Sequence, residues 1–295
     1  MASSSQLSWL RAMPIVFVGI WSTGFIVARY GMPHSPPFAF LWLRFAFSIL
    51  CFLLWIHLAK VPWPSDRRQW LHLAMTGIFM QAGYLGGVWS AVKGGMGAGL
   101  SALIVGLQPV LTAIWISFQG GLITRRQWQG LLLGFAGLAM VVAYKFESGM
   151  EVTPFSLSMA FMALASITAG TLYQKKFVKA CDVRTASSVQ LMAAWVVTLP
   201  LAMMETQSIE WNREMLCAMA WSVLFLTLGG SSLLYLLIQR GAATSVTSLM
   251  YLVPPTTAVL AWVLFGEAVT WLTLLGIVLT AIGVSLVVRP SKISS

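Results

Sequence analysis

Long apolar stretches, separated by short polar connections, run through the whole chain. A helix needs about 20 apolar residues to cross a hydrocarbon core of about 30 Å, and ten stretches long enough can be placed. The connections between them leave no room for a soluble domain. The pattern therefore predicts an all-α integral membrane protein with ten transmembrane helices, at 12–30, 36–58, 70–92, 97–118, 128–145, 155–177, 186–204, 215–238, 242–264 and 269–288.

The order of helix breakers in the first half of the chain returns in the second half. A shift of 146 residues places Gly95 on Gly241, Pro109 on Pro255, Gly120 on Gly266, Gly130 on Gly276 and Gly137 on Gly283, without a gap. An internal repeat of this kind fixes the architecture of a fold. Each half, 7–145 and 153–289, holds five predicted helices, so the second half must enter the membrane from the opposite side. The sequence thus predicts two inverted five-helix repeats, an arrangement that many secondary transporters share.

Composition and charge agree with a membrane protein. The chain is 58% hydrophobic and only 9% charged, whereas soluble proteins carry about 25% charged residues. Its net charge of +10 does not indicate a nucleic-acid partner, because the basic residues stand between apolar stretches. Thirteen Lys and Arg residues fall on the N-terminal side of the membrane and four on the other side. By the positive-inside rule, both termini are predicted to be cytoplasmic in a multi-pass protein of the plasma membrane, the inner membrane of a bacterium. The first apolar stretch is interpreted as a retained helix and not as a cleaved signal.

The remaining chemistry of the chain gives no sign of an enzyme or of a cofactor. The three cysteines are scattered, without the spacing of a disulfide framework or a metal site. A membrane enzyme would need a paired nucleophile and base, or two deep aspartates, and no predicted helix holds either set. All eight acidic residues fall in connections or at helix ends, so no carboxylate at depth is available as a proton relay or cation ligand. Transport that is facilitated or exchange-like, or that uses backbone carbonyls for any cation, is therefore expected.

Several motifs carry a resemblance to a known family. They are Trp21-Ser22-Thr23-Gly24-Phe25, Leu43-Arg44-Phe45, the helix with Pro109, Pro255 followed by Gly266-Glu267, and the helix with Gly276 and Gly283. In these the chain resembles the EamA branch of the drug/metabolite transporter (DMT) superfamily over nearly its whole length. The resemblance implies a ten-helix inverted-repeat carrier with a central cavity, which mostly exports small metabolites or amino acids. One departure is visible. The family often has Gly-Glu after the fourth helix as well, where this chain has Gly120-Gly121; if that glutamate helps to gate or seal the cytoplasmic end, this protein does so differently or not at all.

Arg44 is the only charged residue that lies unambiguously inside a predicted helix and not at its end, about 12 Å from the outer end. An ionisable group at this depth indicates a functional site, and its fork of donors suits a carboxylate or phosphate. The alternative is that Arg44 snorkels outward or pairs with a helix end and only stabilises the fold. Helix breaks at Pro109 and at Pro254-Pro255, in matching positions of the two halves, indicate a site near the midplane. They could also be purely structural kinks.

Polar and aromatic residues near these breaks are predicted to line a substrate-binding cavity, because unpaired polar groups in lipid cost several kcal/mol. From the first half they are Trp21, Ser22, Gln81, Tyr84, Ser101 and Gln108, and from the second half Thr168, Tyr173, Ser231, Tyr235 and Tyr251. Whether they contact substrate or only one another stays open. Glu267 is predicted, with the three prolines, to act in helix breaking or gating.

A cavity with several aromatic residues and one arginine suits an amino acid or another small carboxylate. The sequence therefore predicts a secondary transporter, an exporter of amino acids or related small metabolites, that works by alternating access at a cavity between the repeats. The alternative is a passive channel or a membrane scaffold without transport. The predicted partners are the lipid bilayer and a small-molecule substrate, in a monomer or homodimer. Glycines in the fifth and tenth helices favour close packing within the chain over a dimer seam.

Overall fold

The computed structural model describes residues 4–120, 124–147, 152–230, 233 and 252–288, and within these it contains helices and no strand. The α-helices are α1 (Ser4–Gly31), α2 (Pro37–Ala59), α3 (Arg67–Gly77), α4 (Tyr84–Lys93), α5 (Ala98–Val105), α6 (Gln108–Phe118), α7 (Arg125–Glu147), α8 (Pro154–Phe177), α9 (Val183–Met204), α10 (Arg213–Trp221), α11 (Val253–Phe265) and α12 (Trp271–Val288). Two π-helical segments, π1 (Ile78–Gly83) and π2 (Ser222–Gly230), interrupt this series.

Where the structure describes them, these segments occupy the ten predicted spans; parts of 215–238 and of 242–264 lie outside the described residues. Segment π1 joins α3 to α4 as one span, α5 and α6 are separated only by Gly106-Leu107, and π2 continues α10. Five spans are long and apolar enough to cross a membrane as unbroken stretches, at 37–59, 98–115, 125–146, 154–177 and 183–204. The other spans are shorter in the described residues or contain a π-helical segment. The prediction of an all-α membrane protein built from two inverted five-helix repeats is confirmed.

The internal repeat is visible in local structure. The 146-residue shift carries π1 onto residues 224–229, inside π2. The same shift relates two N-caps. Asp66 accepts a hydrogen bond of 2.9 Å from the backbone N–H of Arg68 at the start of α3, and Asn212 accepts one of 2.8 Å from Met215 at the start of α10. A side-chain oxygen at this position satisfies a donor that the helix cannot satisfy itself.

Glycines bring the fifth and tenth spans into close contact. A Cβ atom at Gly137 would lie 2.7 Å from the carbonyl oxygen of Gly276, and one at Gly283 would lie 2.6 Å from that of Gly130. The two contacts are related by the repeat, so α7 and α12 pack through equivalent positions. The glycines therefore serve packing within the chain, as the sequence favoured.

The bundle has two chemically different ends. One end, here called the basic face, carries the connections 60–66 and 178–182. The opposite end, here called the acidic face, carries the connections 32–36, 94–97, 205–212 and 266–270. In the sequence, six of the eight acidic residues belong to the acidic face or to helix ends beside it. The charge asymmetry between the faces is therefore made by acids as well as by bases.

Candidate functional site

Arg44 lies at the contact between the two halves of the chain. Its side chain, on α2, is buried, with only 6% of the residue exposed. The guanidinium donates hydrogen bonds from Nε and Nη2 to the hydroxyl oxygen of Thr227, at 3.3 and 3.1 Å. Thr227 belongs to π2, in the second half. Arg44 therefore does not snorkel to the lipid interface, and it connects the two repeats.

The partner of Arg44 does not neutralise its charge. The Thr227 hydroxyl donates its single proton to the carbonyl oxygen of Ser222, five residues earlier, at 2.9 Å, so it acts only as an acceptor towards the guanidinium. No ion pair between Arg44 and an acid of the described residues is present. A buried charge is costly unless it is paired, which makes Arg44 suited to an anionic group brought by a ligand.

Aromatic residues surround this arginine. The guanidinium carbon lies 5.9 Å from the ring centroid of Trp89, within the range of a cation–π contact. Trp89 is itself stacked on Phe40, with ring centroids 4.3 Å apart, and both rings are buried. Tyr84, at the start of α4, is buried within electrostatic range of Arg44.

Other residues that the sequence places in the cavity make contacts within the protein. Gln108, the first residue of α6, donates from Nε2 to the hydroxyl of Thr171 on α8 at 2.8 Å, a further connection between the halves. Thr168 donates its hydroxyl to the carbonyl of Leu164 in its own helix at 2.7 Å. Gln81 is half-buried within π1.

Four buried serine hydroxyls among the described residues lack hydrogen-bond partners, and two of them belong to the predicted cavity residues. The side chains of Ser22 on α1 and Ser101 on α5 are fully buried, and neither Oγ atom has a hydrogen-bond partner among the described residues. A buried polar group without a partner costs about 1–3 kcal/mol. Both hydroxyls are therefore available to a water molecule or a ligand. The neighbouring Trp21 is half-buried against Phe17, with ring centroids 5.3 Å apart.

The structure does not bring every predicted residue to Arg44. The hydroxyl of Tyr173 is 2.9 Å from Nδ1 of His72, and its ring packs on Phe177 near the end of α8, towards the basic face. Ser231, Tyr235 and Tyr251 lie outside the described residues.

The prolines lie where helical segments begin. Pro109 is in the first turn of α6, and Pro254 and Pro255 are in the first turn of α11, where the missing N–H of proline is tolerated. A Cβ atom at Gly106, in the break before α6, would lie 2.8 Å from Cγ of Pro254. The break in the fourth span and the start of α11 therefore pack directly on each other.

Glu267 caps the N-terminus of α5, a helix that belongs to the other half of the chain. Its buried carboxylate accepts hydrogen bonds from the backbone N–H groups of Ala98 and Gly99, at 2.8 and 3.3 Å. Arg29 Nε lies 4.0 Å from the same carboxylate. The local N-cap of α5 is Gly97, which has no side chain to offer. Because the helix N-terminus carries unpaired donors and partial positive charge, it needs an acceptor from elsewhere.

Glu205 has the same role at α2 and was not singled out by the sequence. Its carboxylate accepts from the N–H groups of Phe38 and Ala39, at 3.0 and 2.8 Å. The signal that could have found it is the start of α2, where the N-cap Pro36 gives no side-chain hydrogen bond. The repeat equivalents of Glu205 and Glu267 are Ala59 and Gly121. The acidic face therefore has two carboxylate caps that cross between the halves, and the equivalent positions on the basic face have no carboxylate.

Two inverted five-helix repeats, with buried polar groups where they meet, are typical of secondary transporters. The chain belongs to the EamA-like transporter family, whose model matches residues 11–143 and again residues 154–289. The resemblance seen in the sequence motifs is thereby confirmed, and the chain is an integral membrane protein of a transporter family.

Several relatives match over almost the whole chain. A "Probable amino-acid metabolite efflux pump" of Salmonella typhimurium is 24% identical, covering 92% of each chain, and a protein of the same name in Escherichia coli K12 is 23% identical over the same shares. The "Uncharacterized transporter YvbV" of Bacillus subtilis is 24% identical over 95% of this chain and 92% of that protein. A solved crystal structure, 17% identical, has a TM-score of 0.65 and covers 93% of this chain and 95% of its own, which shows the fold alone.

Proposed function

We propose that this protein is a secondary exporter of amino acids or related small metabolites, located in a bacterial inner membrane with both termini in the cytoplasm. The halves 7–145 and 153–289 alternate access to a cavity between them. Support comes from relatives named as amino-acid metabolite efflux pumps and from the excess of basic residues on the N-terminal side.

The observation that carries the substrate class is the buried, unneutralised charge of Arg44. Both described hydrogen bonds of its guanidinium end on one oxygen, that of Thr227. Nη1 and the second N–H of Nη2 therefore have no described partner. Together they form an edge with two donors that suits the two oxygens of a carboxylate. The surrounding rings of Trp89 and Tyr84 supply apolar surface beside it.

Counterflow of labelled amino acids in proteoliposomes tests this function. Wild-type protein should give saturable uptake that is stimulated by the same amino acid on the other side. Loss of a hydrogen bond to a charged group costs about 1.5–3 kcal/mol, so Arg44→Gln should lower counterflow about 10- to 100-fold. Arg44→Lys should retain part of the counterflow, because lysine keeps the positive charge but lacks the two parallel donors of the guanidinium. Arg67→Gln, at an exposed base of the basic face, is the matched control and should transport normally.

The outcomes separate the alternatives. Flux that rises linearly with concentration and shows no counterflow would identify a channel, and no flux of any small metabolite would favour a scaffold. Unchanged amino-acid counterflow in Arg44→Gln would refute the proposal that Arg44 binds the carboxylate of the substrate.

Coupling and orientation have separate tests. Because the described helices hold no carboxylate at depth, we expect counterflow without an imposed proton or sodium gradient; a required gradient that Glu267→Gln abolishes would contradict this. A cysteine at position 67 should be labelled from the cytoplasm and one at 207 from outside. The reverse pattern would overturn the orientation.

A further inference from the structure

A cavity of about 530 Å³ opens at the acidic face between the two halves. The ends of α1 and α4 form one side, and the start of α10 and the end of α11 form the other. This volume lies within the range of small-molecule sites. Its wall includes Arg29, Tyr30, His34, Lys93, Glu214 and Phe265.

The wall of this cavity presents both signs of charge. Lys93 donates its ammonium to the carbonyl of Met32 at 2.7 Å; among the described residues it makes no ion pair, although Glu205 and Glu210 lie within electrostatic range. Arg29, with 33% of its side chain exposed, makes one long ion-pair contact among the described residues, at 4.0 Å to Glu267. Glu214 is half-buried and makes no ion pair with the described residues. A ligand with a carboxylate and an ammonium group would find a partner for each.

The neighbouring histidine does not compete for such a ligand. Nδ1 of His34 lies 3.2 Å from the Glu210 carboxylate and 2.7 Å from Nδ2 of Asn212. Those contacts tie the connection after α1 to the connection before α10. The rings of Tyr30 and Phe265 leave apolar surface for a side chain.

The stacked pair Phe40–Trp89 lies near both the end of α1 beside this cavity and Arg44. A Cβ atom at Gly31, beside the cavity wall, would lie 3.4 Å from Phe40 and 3.7 Å from Trp89. Trp89 of the same pair makes the cation–π contact with Arg44. Both rings are buried, so the pair packs between the end of α1 and Arg44 within the protein.

We propose that this cavity is a second binding site for a zwitterionic amino acid at the acidic face. Arg29 and Lys93 receive the carboxylate, and Glu214 receives the ammonium group. The Phe40–Trp89 pair lies near both this site and Arg44. The choice of an amino acid rests on the proposed function, whereas binding in the cavity can be measured without transport.

Protection of a cysteine in the cavity wall tests the site. Pro33→Cys, at an exposed residue of the cavity wall to which no ligand contact is assigned, is made in a background where the three native cysteines are replaced by alanine. The rate of its modification by a membrane-impermeant maleimide is measured on purified protein in lipid nanodiscs. L-Phenylalanine is the probe, with phenylpropionate and phenethylamine as analogues that keep one charge each. L-Phenylalanine should slow the reaction, and each analogue should need about tenfold more for the same protection, as loss of one charged contact implies.

Variants assign the charges within the same assay. Lys93→Gln and Glu214→Gln should each raise the half-protecting concentration of L-phenylalanine about tenfold, and Lys93→Arg should restore it. Arg213→Gln, at an exposed neighbour of Glu214 outside the cavity wall, is the control and should leave protection unchanged. An unprotected modification rate equal to that of the parent shows that a variant keeps its fold.

Failure of the site and failure of the proposed function give different results. No protection by L-phenylalanine, or equal protection by both analogues, overturns the site even if counterflow is present. Protection that depends on Lys93 and Glu214 supports the site even if counterflow is absent, in which case the exporter function falls.

Discussion

Glu267 should contribute more to stability than any other acidic side chain at the acidic face. Glu267→Gln keeps the size of the side chain and replaces one carboxylate oxygen by an amide NH₂ group. That group would face the N–H of Ala98 or Gly99, both of which now donate to the carboxylate at 2.8 and 3.3 Å. One donor would then meet another donor at the start of α5, and the negative charge at the helix N-terminus would be lost.

The magnitude follows from burial. Glu267 is only 6% exposed, so water cannot readily replace the lost acceptor. Loss of a hydrogen bond to a charged group costs about 1.5–3 kcal/mol, which corresponds to a fall in Tm of about 2–5 °C for a chain of this size. Glu205→Gln makes the same change at α2, but this side chain is half-exposed and water can take over. A loss of about 1 kcal/mol or less is expected there.

Thermal unfolding of the detergent-solubilised protein, followed by tryptophan fluorescence, measures both effects. Glu210→Gln serves as the control, because its carboxylate is 61% exposed and contacts only the His34 ring and no helix start; its Tm should stay within about 1 °C, as for most surface changes. Equal losses for Glu267→Gln and Glu205→Gln would refute the role of burial. An unchanged Tm for Glu267→Gln would show that the cap contributes nothing to stability.

Two further substitutions and one alkylation experiment test other parts of the structure. Gly137→Ala should destabilise the protein by about 1–3 kcal/mol in the same thermal assay, because its Cβ would meet the carbonyl of Gly276; Gly19→Ala, with nothing within 4 Å, should be neutral or stabilising, and equal losses would contradict the packing argument. Thr227→Val keeps the shape and removes the acceptor of Arg44, so counterflow should fall about tenfold, whereas an unchanged rate would show that this contact does not orient the arginine. Burial raises the pKa of the Cys181 thiol. The rate of its alkylation from the basic face should therefore be low at neutral pH and should continue to rise with pH above the ordinary range of a thiol pKa. Fast alkylation at neutral pH would contradict this expectation.

Much of the architecture was predictable because it depends on local composition. Apolar length placed the helices, and the breakers around Pro109 and Pro255 located the repeat. Segments π1 and π2 were not predicted, since the apolar pattern of such a segment does not differ visibly from that of an α-helix. Their equivalent positions became clear only from the backbone hydrogen bonds.

The candidate site was predictable only in part. Arg44 was identified because a charge at depth is rare in lipid-embedded helices, and Gln108 because a polar amide there needs a partner. Tyr173 has the same polar and aromatic character, yet its hydroxyl meets His72 towards the basic face. When most sides of a helix are apolar, the type of a residue and its depth in the membrane do not decide which neighbouring helix its side chain faces.

The sequence by itself determined that this chain spans a membrane ten times in two inverted halves, because apolar length, helix breakers and the distribution of charges are properties of each segment and its solvent. Only the tertiary structure decided which groups meet. Arg44 and Thr227 are 183 residues apart, and Glu205 and Phe38 are 167 apart. Such pairs are fixed by how the helices pack, and in a membrane that packing depends on small residues and close fit rather than on an apolar pattern. The capping of α2 and α5 by carboxylates from the other half follows from this packing.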